Sequence, residues 1–207
     1  SDDASGLAIA DKLRTQASSI KQSISNANSA TSLIQIADKA MGEQSNILDI
    51  VKTKLIQAKT ATTSTDGRAA ILSDIKALLT QLDNIASQTN YNGVQLLQGN
   101  TTAATTVGST AAVFQVGELS TNTITMGTAH SNTTALSVNV LATMGIALTA
   151  AIAGTEMTKL DTALTSLNTT RASFGSVQNQ LESATRNMMT THTNIKSAES
   201  VIRDVDY

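Results

Sequence analysis

The sequence opens on a long apolar pattern that favours a single α-helix. From Ser1 to Ala58 there is no proline, and apolar side chains recur every third or fourth residue. This spacing places them on one helical face, which we call the N-terminal seam. Its positions are Ala10, Leu13, Ala17, Ile20, Ile24, Ala27, Ala30, Ile34, Ala37, Met41, Gln44, Leu48, Val51, Leu55 and Ala58. Such a helix would extend for roughly 85 Å, so we expect partner helices beside it.

A second pattern of the same kind, the C-terminal seam, runs from Glu156 to the end of the chain. It comprises Met157, Leu160, Leu164, Leu167, Arg171, Phe174, Val177, Leu181, Ala184, Met188, Thr191, Ile195, Ala198, Ile202 and Val205. A shorter amphipathic helix is predicted from Arg68 to Ser87, after a loop at Thr60–Gly67 in which Thr65 or Asp66 is the expected cap. Together these patterns predict a mainly α protein, an elongated antiparallel rod of two long helices and one shorter helix.

Between the helical ends the composition changes to Gly, Thr, Ser, Asn and Ala. Asn92-Gly93 predicts a tight turn, because both residue types tolerate positive φ. Strands are expected at Val113–Val116 and Thr123–Met126, while Asn139–Gly154 is ambiguous between strand and helix. We therefore expect residues 1–97 and 155–207 to form the helical rod, with a small β-hairpin-rich insertion at 98–154.

Composition argues against several functional classes. The chain has no cysteine, and its net charge of −2 with mixed signs gives no basic field for nucleic acid or anionic lipid. The apolar stretch Val138–Ala153 is too short for a typical membrane span. The two histidines, His130 and His192, belong to no metal-binding motif. We expect no catalytic, metal or cofactor site, and therefore no enzyme.

Several segments, in order along both helical ends, resemble bacterial flagellin, the subunit of the flagellar filament. They are Ser1–Gln16, Ser25–Asn28 (SNAN), Ala37–Met41 (ADKAM), Gln88–Gly93 (QTNYNG), Val94–Leu97 (VQLL), Phe114–Gly117 (FQVG), Ser176–Leu181 (SVQNQL) and Ala198–Tyr207 (AESVIRDVDY). A series of matches in one order is far more specific than a single short motif.

The resemblance implies a structural protein that polymerises with copies of itself in the extracellular flagellum. It also implies secretion, with a flagellar export chaperone and cap proteins as partners. Family members extend beyond both ends of this sequence, so we expect a core fragment without the tails that line the filament channel. The alternative is a hook-associated junction protein or another secreted coiled-coil component of the flagellar export apparatus.

The polar edges of the two long helices are the candidate subunit contacts, and the arginines of the C-terminal helix are candidate partners for carboxylates of a facing helix. The edge candidates are Asn26, Asn28, Gln178 and Gln180. The arginines are Arg171 and Arg203, and exposed pairs of this kind contribute little to stability.

In many flagellins a host toll-like receptor binds the first-helix stretch that aligns here with Asp49–Gln57. The aligned residues are Asp49, Ile50, Val51, Lys52, Thr53, Lys54, Leu55, Ile56 and Gln57, together with Asp74 of the second helix. Receptor-activating relatives have arginine and glutamate where this chain has Ile50 and Thr53. Losing an interfacial charge pair typically costs a few kcal/mol, so the departure predicts weak or absent receptor binding.

The Ser- and Thr-rich middle also suggests O-linked glycosylation, which many flagellins carry. The candidates are Thr101, Thr102, Thr105, Thr106, Ser131, Thr133 and Thr134. Their simpler interpretation is as turn and strand residues.

Overall fold

A computed structural model describes residues 2–98 and 111–204 of the chain. The helices are α1 (Asp2–Lys59), α2 (Thr65–Gln88), α3 (Asn139–Thr143) and α4 (Ala150–Asp204). The strands are β1 (Asn90–Tyr91), β2 (Val94–Gln95), β3 (Ala112–Gln115) and β4 (Thr123–Met126), which pair as β1–β2 and β3–β4. The prediction of a mainly α protein with long helices and small antiparallel strand pairs is confirmed.

Most of the N-terminal seam is buried, as expected for the packed face of a long amphipathic helix. Its positions from Ala27 onward are all buried: Ala27, Ala30, Ile34, Ala37, Met41, Gln44, Leu48, Val51, Leu55 and Ala58. On α4 the buried seam positions are Leu160, Leu167, Phe174, Val177, Leu181 and Met188. Near the end of α4 the predicted seam is wrong by one position, because Ala198 is exposed and Glu199 is buried. Val205 lies outside the described residues.

The start of α2 is fixed by a side-chain cap. Ser64 has an extended backbone, and its hydroxyl accepts a hydrogen bond of 3.0 Å from the amide of Gly67. This satisfies one of the amide donors that a helix leaves free at its N-terminus. The predicted caps, Thr65 and Asp66, are therefore wrong, since both residues are already helical.

A two-residue turn joins β1 to β2. Asn92 and Gly93 have φ values of 52° and 80°, so the predicted positive-φ turn is confirmed. The pairing is antiparallel, with Asn90 opposite Gln95 and Tyr91 opposite Val94. Leu96 and Leu97, which follow directly, are fully buried. The turn therefore brings the chain back onto the core immediately after α2.

The stretch before α4 is partly helical rather than strand. Asn139–Thr143 forms the short α3, and α4 begins at Ala150 rather than at Glu156. Lys76 of α2 donates a hydrogen bond of 2.6 Å to the carbonyl of Met144, which anchors the segment between α3 and α4. No helix within residues 2–98 and 111–204 combines the length and hydrophobicity that a bilayer span requires.

Contacts divide the chain into two compact units, each of which contains part of α1 and part of α4. The first unit contains residues 1–34, 113–126 and 175–207, and the second contains residues 35–112 and 127–174. In the second unit, α1 and α4 run antiparallel, because Asp38 pairs with Arg171 and the later Lys52 pairs with the earlier Asp161. The division into a rod at 1–97 plus 155–207 and an insertion at 98–154 stays a prediction.

Candidate functional surface

The stretch 49–57 of α1 has one exposed face and one buried face. Asp49, Thr53 and Gln57 are exposed, and so are the aliphatic side chains of Ile50 (48%) and Ile56 (50%). These five residues form what we call the 49–57 face. Because a helix repeats every 3.6 residues, the stretch cannot present every member to a partner.

Val51 and Leu55 lie on the opposite side of the same stretch and are completely buried. The prediction that they face a receptor is therefore wrong, since both are seam residues of the intrasubunit core. The burial follows from their positions in the N-terminal seam, a few residues after Leu48.

Two ion pairs border the 49–57 face. Lys54 Nζ lies 2.7 Å from Asp74 Oδ2 on α2, and Lys52 Nζ is hydrogen-bonded to Asp161 Oδ1 on α4. The lysines are therefore bound by carboxylates of the same chain. Sequence reasoning selected Asp74 but missed Asp161, because no one-dimensional pattern shows which residue of α4 lies beside Lys52.

Arg171 and Asp38 join α4 to α1 in the second unit. Arg171 Nε donates to Asp38 Oδ1 at 2.8 Å, and this hydrogen bond raises the pKa of the Arg171 guanidinium. The guanidinium also lies against Gly42, where an added Cβ would be 3.6 Å from a guanidinium nitrogen. The predicted carboxylate pairing of Arg171 is confirmed. For Arg203 it is wrong, because its partner at 3.8 Å is Glu199 of its own helix.

The candidate subunit contacts fall into two groups. Asn26 donates to the carbonyl of Gln115 at 3.3 Å, and Gln178 donates to Glu182 at 3.1 Å, so both bind within the chain. Asn28 and Gln180 are exposed. The exposed pair is therefore better placed to contact a second subunit.

A buried polar network ties α1 to the loop before α3. Gln44 is 0% exposed, and its amide nitrogen donates to the carbonyls of Leu82 (3.1 Å) and Ser131 (3.0 Å). Asp83 accepts two hydrogen bonds from Thr133, from the amide at 2.7 Å and from the hydroxyl at 2.9 Å. Sequence reasoning found Gln44 as the polar member of the seam, but not its partners.

This network removes two glycosylation candidates. Ser131 and Thr133 are buried, and their hydroxyls donate to the Leu97 carbonyl and to Asp83. A buried, bonded hydroxyl is not accessible to a glycosyltransferase, so the prediction for these two is wrong. Thr134 is exposed. The other candidates, Thr101, Thr102, Thr105 and Thr106, lie outside the described residues.

Metal-binding geometry is absent from the part of the chain that the structure describes. No cluster of three or more His, Cys, Asp or Glu side chains there could hold a metal ion. His130 is exposed, and His192 is half-buried on α4. The contacts described above are helix packing, ion pairs and polar anchors.

Both helical ends match profiles of one protein family. Residues 1–102 match the bacterial flagellin N-terminal helical region, and residues 157–207 match the bacterial flagellin C-terminal helical region. The flagellar filament 30.7 kDa core protein of Treponema maltophilum is 33% identical over 212 aligned residues, which cover 99% of this chain and 73% of that protein. The chain belongs to the bacterial flagellin family.

Two further similar proteins are also flagellins. Flagellin B of Helicobacter pylori strain J99 is 46% identical over 124 residues, or 54% of this chain and 24% of that protein. The chain thus spans about a quarter of the length of this longer relative. Among solved structures, Bacillus cereus flagellin superposes with a TM-score of 0.67 at 30% identity, covering 84% of this chain and 94% of that one.

A second solved structure has the same fold. It is a putative flagellar hook-associated protein from Vibrio parahaemolyticus, with a TM-score of 0.73, 12% identity, and coverage of 92% of this chain and 94% of that one. At this identity the likeness shows the fold alone.

Proposed function

We propose that this flagellin is the structural subunit of a bacterial flagellar filament and that it polymerises through the outer faces of α1 and α4. The observation that carries the proposal is the match of both chain ends to the flagellin helical regions, combined with the burial of the N-terminal seam from Ala27 to Ala58 and of six C-terminal seam positions between Leu160 and Met188. Because the apolar faces are used inside the subunit, polar edge residues remain for contacts between subunits.

Substitution of the exposed polar edge is expected to shorten filaments without unfolding the subunit. We predict that Asn28→Asp with Gln180→Glu lowers the mass of sedimentable polymer severalfold, because each substituted contact must then desolvate an added negative charge. The assay is ultracentrifugation of the chain extended at both ends with the terminal segments of a longer flagellin. Gln22→Glu with Gln57→Glu, also exposed on α1, adds the same charge as the matched control.

Equal loss of polymer in both double variants would contradict the assignment of Asn28 and Gln180 as contacts. Short rings in place of long homopolymers from the unsubstituted protein would favour the alternative, a hook-associated junction protein. The filament proposal also implies secretion to the extracellular flagellum, with an export chaperone and cap proteins as partners. Co-purification of the chain with such proteins from flagellated cells tests that part.

We also propose that the 49–57 face makes this flagellin a poor ligand of the host toll-like receptor. Ile50 and Thr53 occupy the positions where activating relatives have arginine and glutamate. Asp74 retains an acidic side chain at the aligned position. However, Lys54 Nζ lies 2.7 Å from Asp74 Oδ2, so a receptor must compete with Lys54 for that carboxylate. Charged groups that are absent or already paired weaken electrostatic complementarity at an interface.

Restoring the charges is expected to increase receptor activation. The double variant Ile50→Arg with Thr53→Glu should lower the concentration for half-maximal activation by roughly tenfold or more in a reporter-cell assay. Ser29→Arg with Ser32→Glu places the same charges at the same spacing on an exposed part of α1 and should leave activation unchanged. Strong activation of the receptor by the unsubstituted protein would contradict the proposal.

Thr134 and the four threonines between residues 101 and 106 are proposed O-glycosylation sites. The support is the exposure of Thr134 and the Ser/Thr-rich composition around the others. The test is the intact mass of the subunit isolated from native filaments. A measured mass equal to the mass calculated from its sequence would contradict this proposal.

A further inference from the structure

A groove with an apolar floor and cationic walls lies between α1 and α4 in the first unit. Ala17 and Ile24 contribute to its floor, and its volume is about 350 Å³. Arg14 and Lys21 line it from α1, and His192 and Lys196 line it from α4. Its lining combines apolar carbon with cationic side chains, which is the composition that suits a ligand with both an apolar body and a negative group.

Positive charge exceeds negative charge around the groove. Arg14 pairs with Asp11 at 3.1 Å, and Lys196 pairs with Glu199 at 2.8 Å. The Lys196 hydrogen bond lowers the pKa of Glu199, so this carboxylate is charged at neutral pH. Lys21 makes no salt bridge with any residue in the described ranges. Its ammonium group is therefore an uncompensated positive charge at the rim of the groove.

We propose that this groove binds a small amphiphilic anion, a monomeric carboxylate or sulfonate attached to an apolar body. The negative group lies at Lys21, beside the hydroxyl of Ser18, and the apolar body covers the exposed part of Ile24. Ile24 is half-buried and offers the accessible apolar part of the floor, whereas Ala17 is only 1% exposed and belongs to the buried part of the N-terminal seam. Burial of the apolar body and attraction to Lys21 act together in such a complex.

Other ligand classes fit the groove less well. A polyanion such as nucleic acid would contact the cations but leave the apolar floor uncovered, and the net charge of −2 opposes it. A neutral apolar molecule would cover the floor but gain nothing from Lys21. An amphiphilic anion uses both features.

The probe is 8-anilinonaphthalene-1-sulfonate, whose fluorescence rises when its rings leave water. For a ligand of this size we expect a Kd on the order of 10–100 μM at low salt. Decanoate, below its micelle concentration, should displace the probe, while decanol at the same concentration should not. Binding should weaken as salt is added, because the rim charge is screened.

Lys21→Glu is the decisive variant. Reversing this charge should weaken binding roughly tenfold at low salt, from the Coulomb interaction of charges about 5 Å apart in a high-dielectric setting. Lys12→Glu is the matched control, since Lys12 is exposed on the same helix but borders a different depression, with Asp11 and Glu118. The control should bind as the unsubstituted chain does. Equal weakening in both variants would overturn the proposal.

Ser18→Phe tests the groove itself with every charge retained. Ser18 is an exposed groove-lining residue, and a phenyl ring there should occupy the space of the ligand and lower binding at least tenfold. Unchanged far-UV circular dichroism and melting temperature verify folding of each variant. Full binding by Ser18→Phe would overturn the proposal. Binding to phosphatidylglycerol vesicles without any response to the monomeric probe or decanoate would overturn it as well.

Discussion

Gln44→Glu is expected to lower the free energy of unfolding by about 3–5 kcal/mol at neutral pH. Gln44 is fully buried, and its amide nitrogen donates to the Leu82 and Ser131 carbonyls. A carboxylate at this position can donate to neither carbonyl, and it would place a negative charge against two carbonyl oxygens at a fully buried position. Urea unfolding followed by far-UV circular dichroism measures the loss.

The loss should depend on pH with a definite sign. Burial raises the pKa of the introduced carboxyl group above the ordinary glutamate value of about 4.3. The unfolded state therefore releases its proton first, and the variant loses stability as pH rises above about 4 until the folded state also ionises. Gln57→Glu, at an exposed position of the same helix, should change stability by less than about 0.5 kcal/mol at any of these pH values. Equal losses at positions 44 and 57 would contradict the buried network.

Leu48→Ala is expected to cost about 2–5 kcal/mol, because Leu48 is 0% exposed in the N-terminal seam. The shorter side chain leaves a cavity that the surrounding helices fill only in part. The measurement is again the urea midpoint, with the unfolding slope checked for constancy.

Ile50→Ala is the matched control for this prediction. Ile50 lies two residues away on the same helix, but it is 48% exposed on the 49–57 face. Alanine is also the better helix former, so the change should stay within about 0.5 kcal/mol of zero. A loss at Ile50 as large as that at Leu48 would mean that the burial pattern of α1 is wrong.

The long helices could be predicted from sequence because their determinants are local and periodic. A residue every three or four positions is enough to define a buried face, and from Ala27 to Ala58 every predicted seam position is buried. The tight turn was predictable for a similar reason, since Asn92-Gly93 has a specific backbone preference. Local rules suffice where the structure itself is local.

The surface and the polar anchors depend on contacts between distant residues, and sequence reasoning located them poorly. Ser131 and Thr133 have the composition of an exposed turn, yet the Leu97 carbonyl and Asp83 hold them in the interior. The partner of Lys52 is Asp161, on a helix more than a hundred residues later in the chain. The cap of α2 was missed because Ser64, Thr65 and Asp66 are all good caps, and the backbone decides among them.

The central proposal, that this chain is a filament subunit, is tested most directly by its location in native flagella. Antibodies raised against residues 111–138, which lie outside the helices proposed to make subunit contacts, would be applied to flagellated cells and located by immunogold electron microscopy. A filament subunit predicts gold particles along the whole length of the filament. Gold confined to the junction with the hook or to the filament tip would contradict the proposal and assign the chain to the junction proteins.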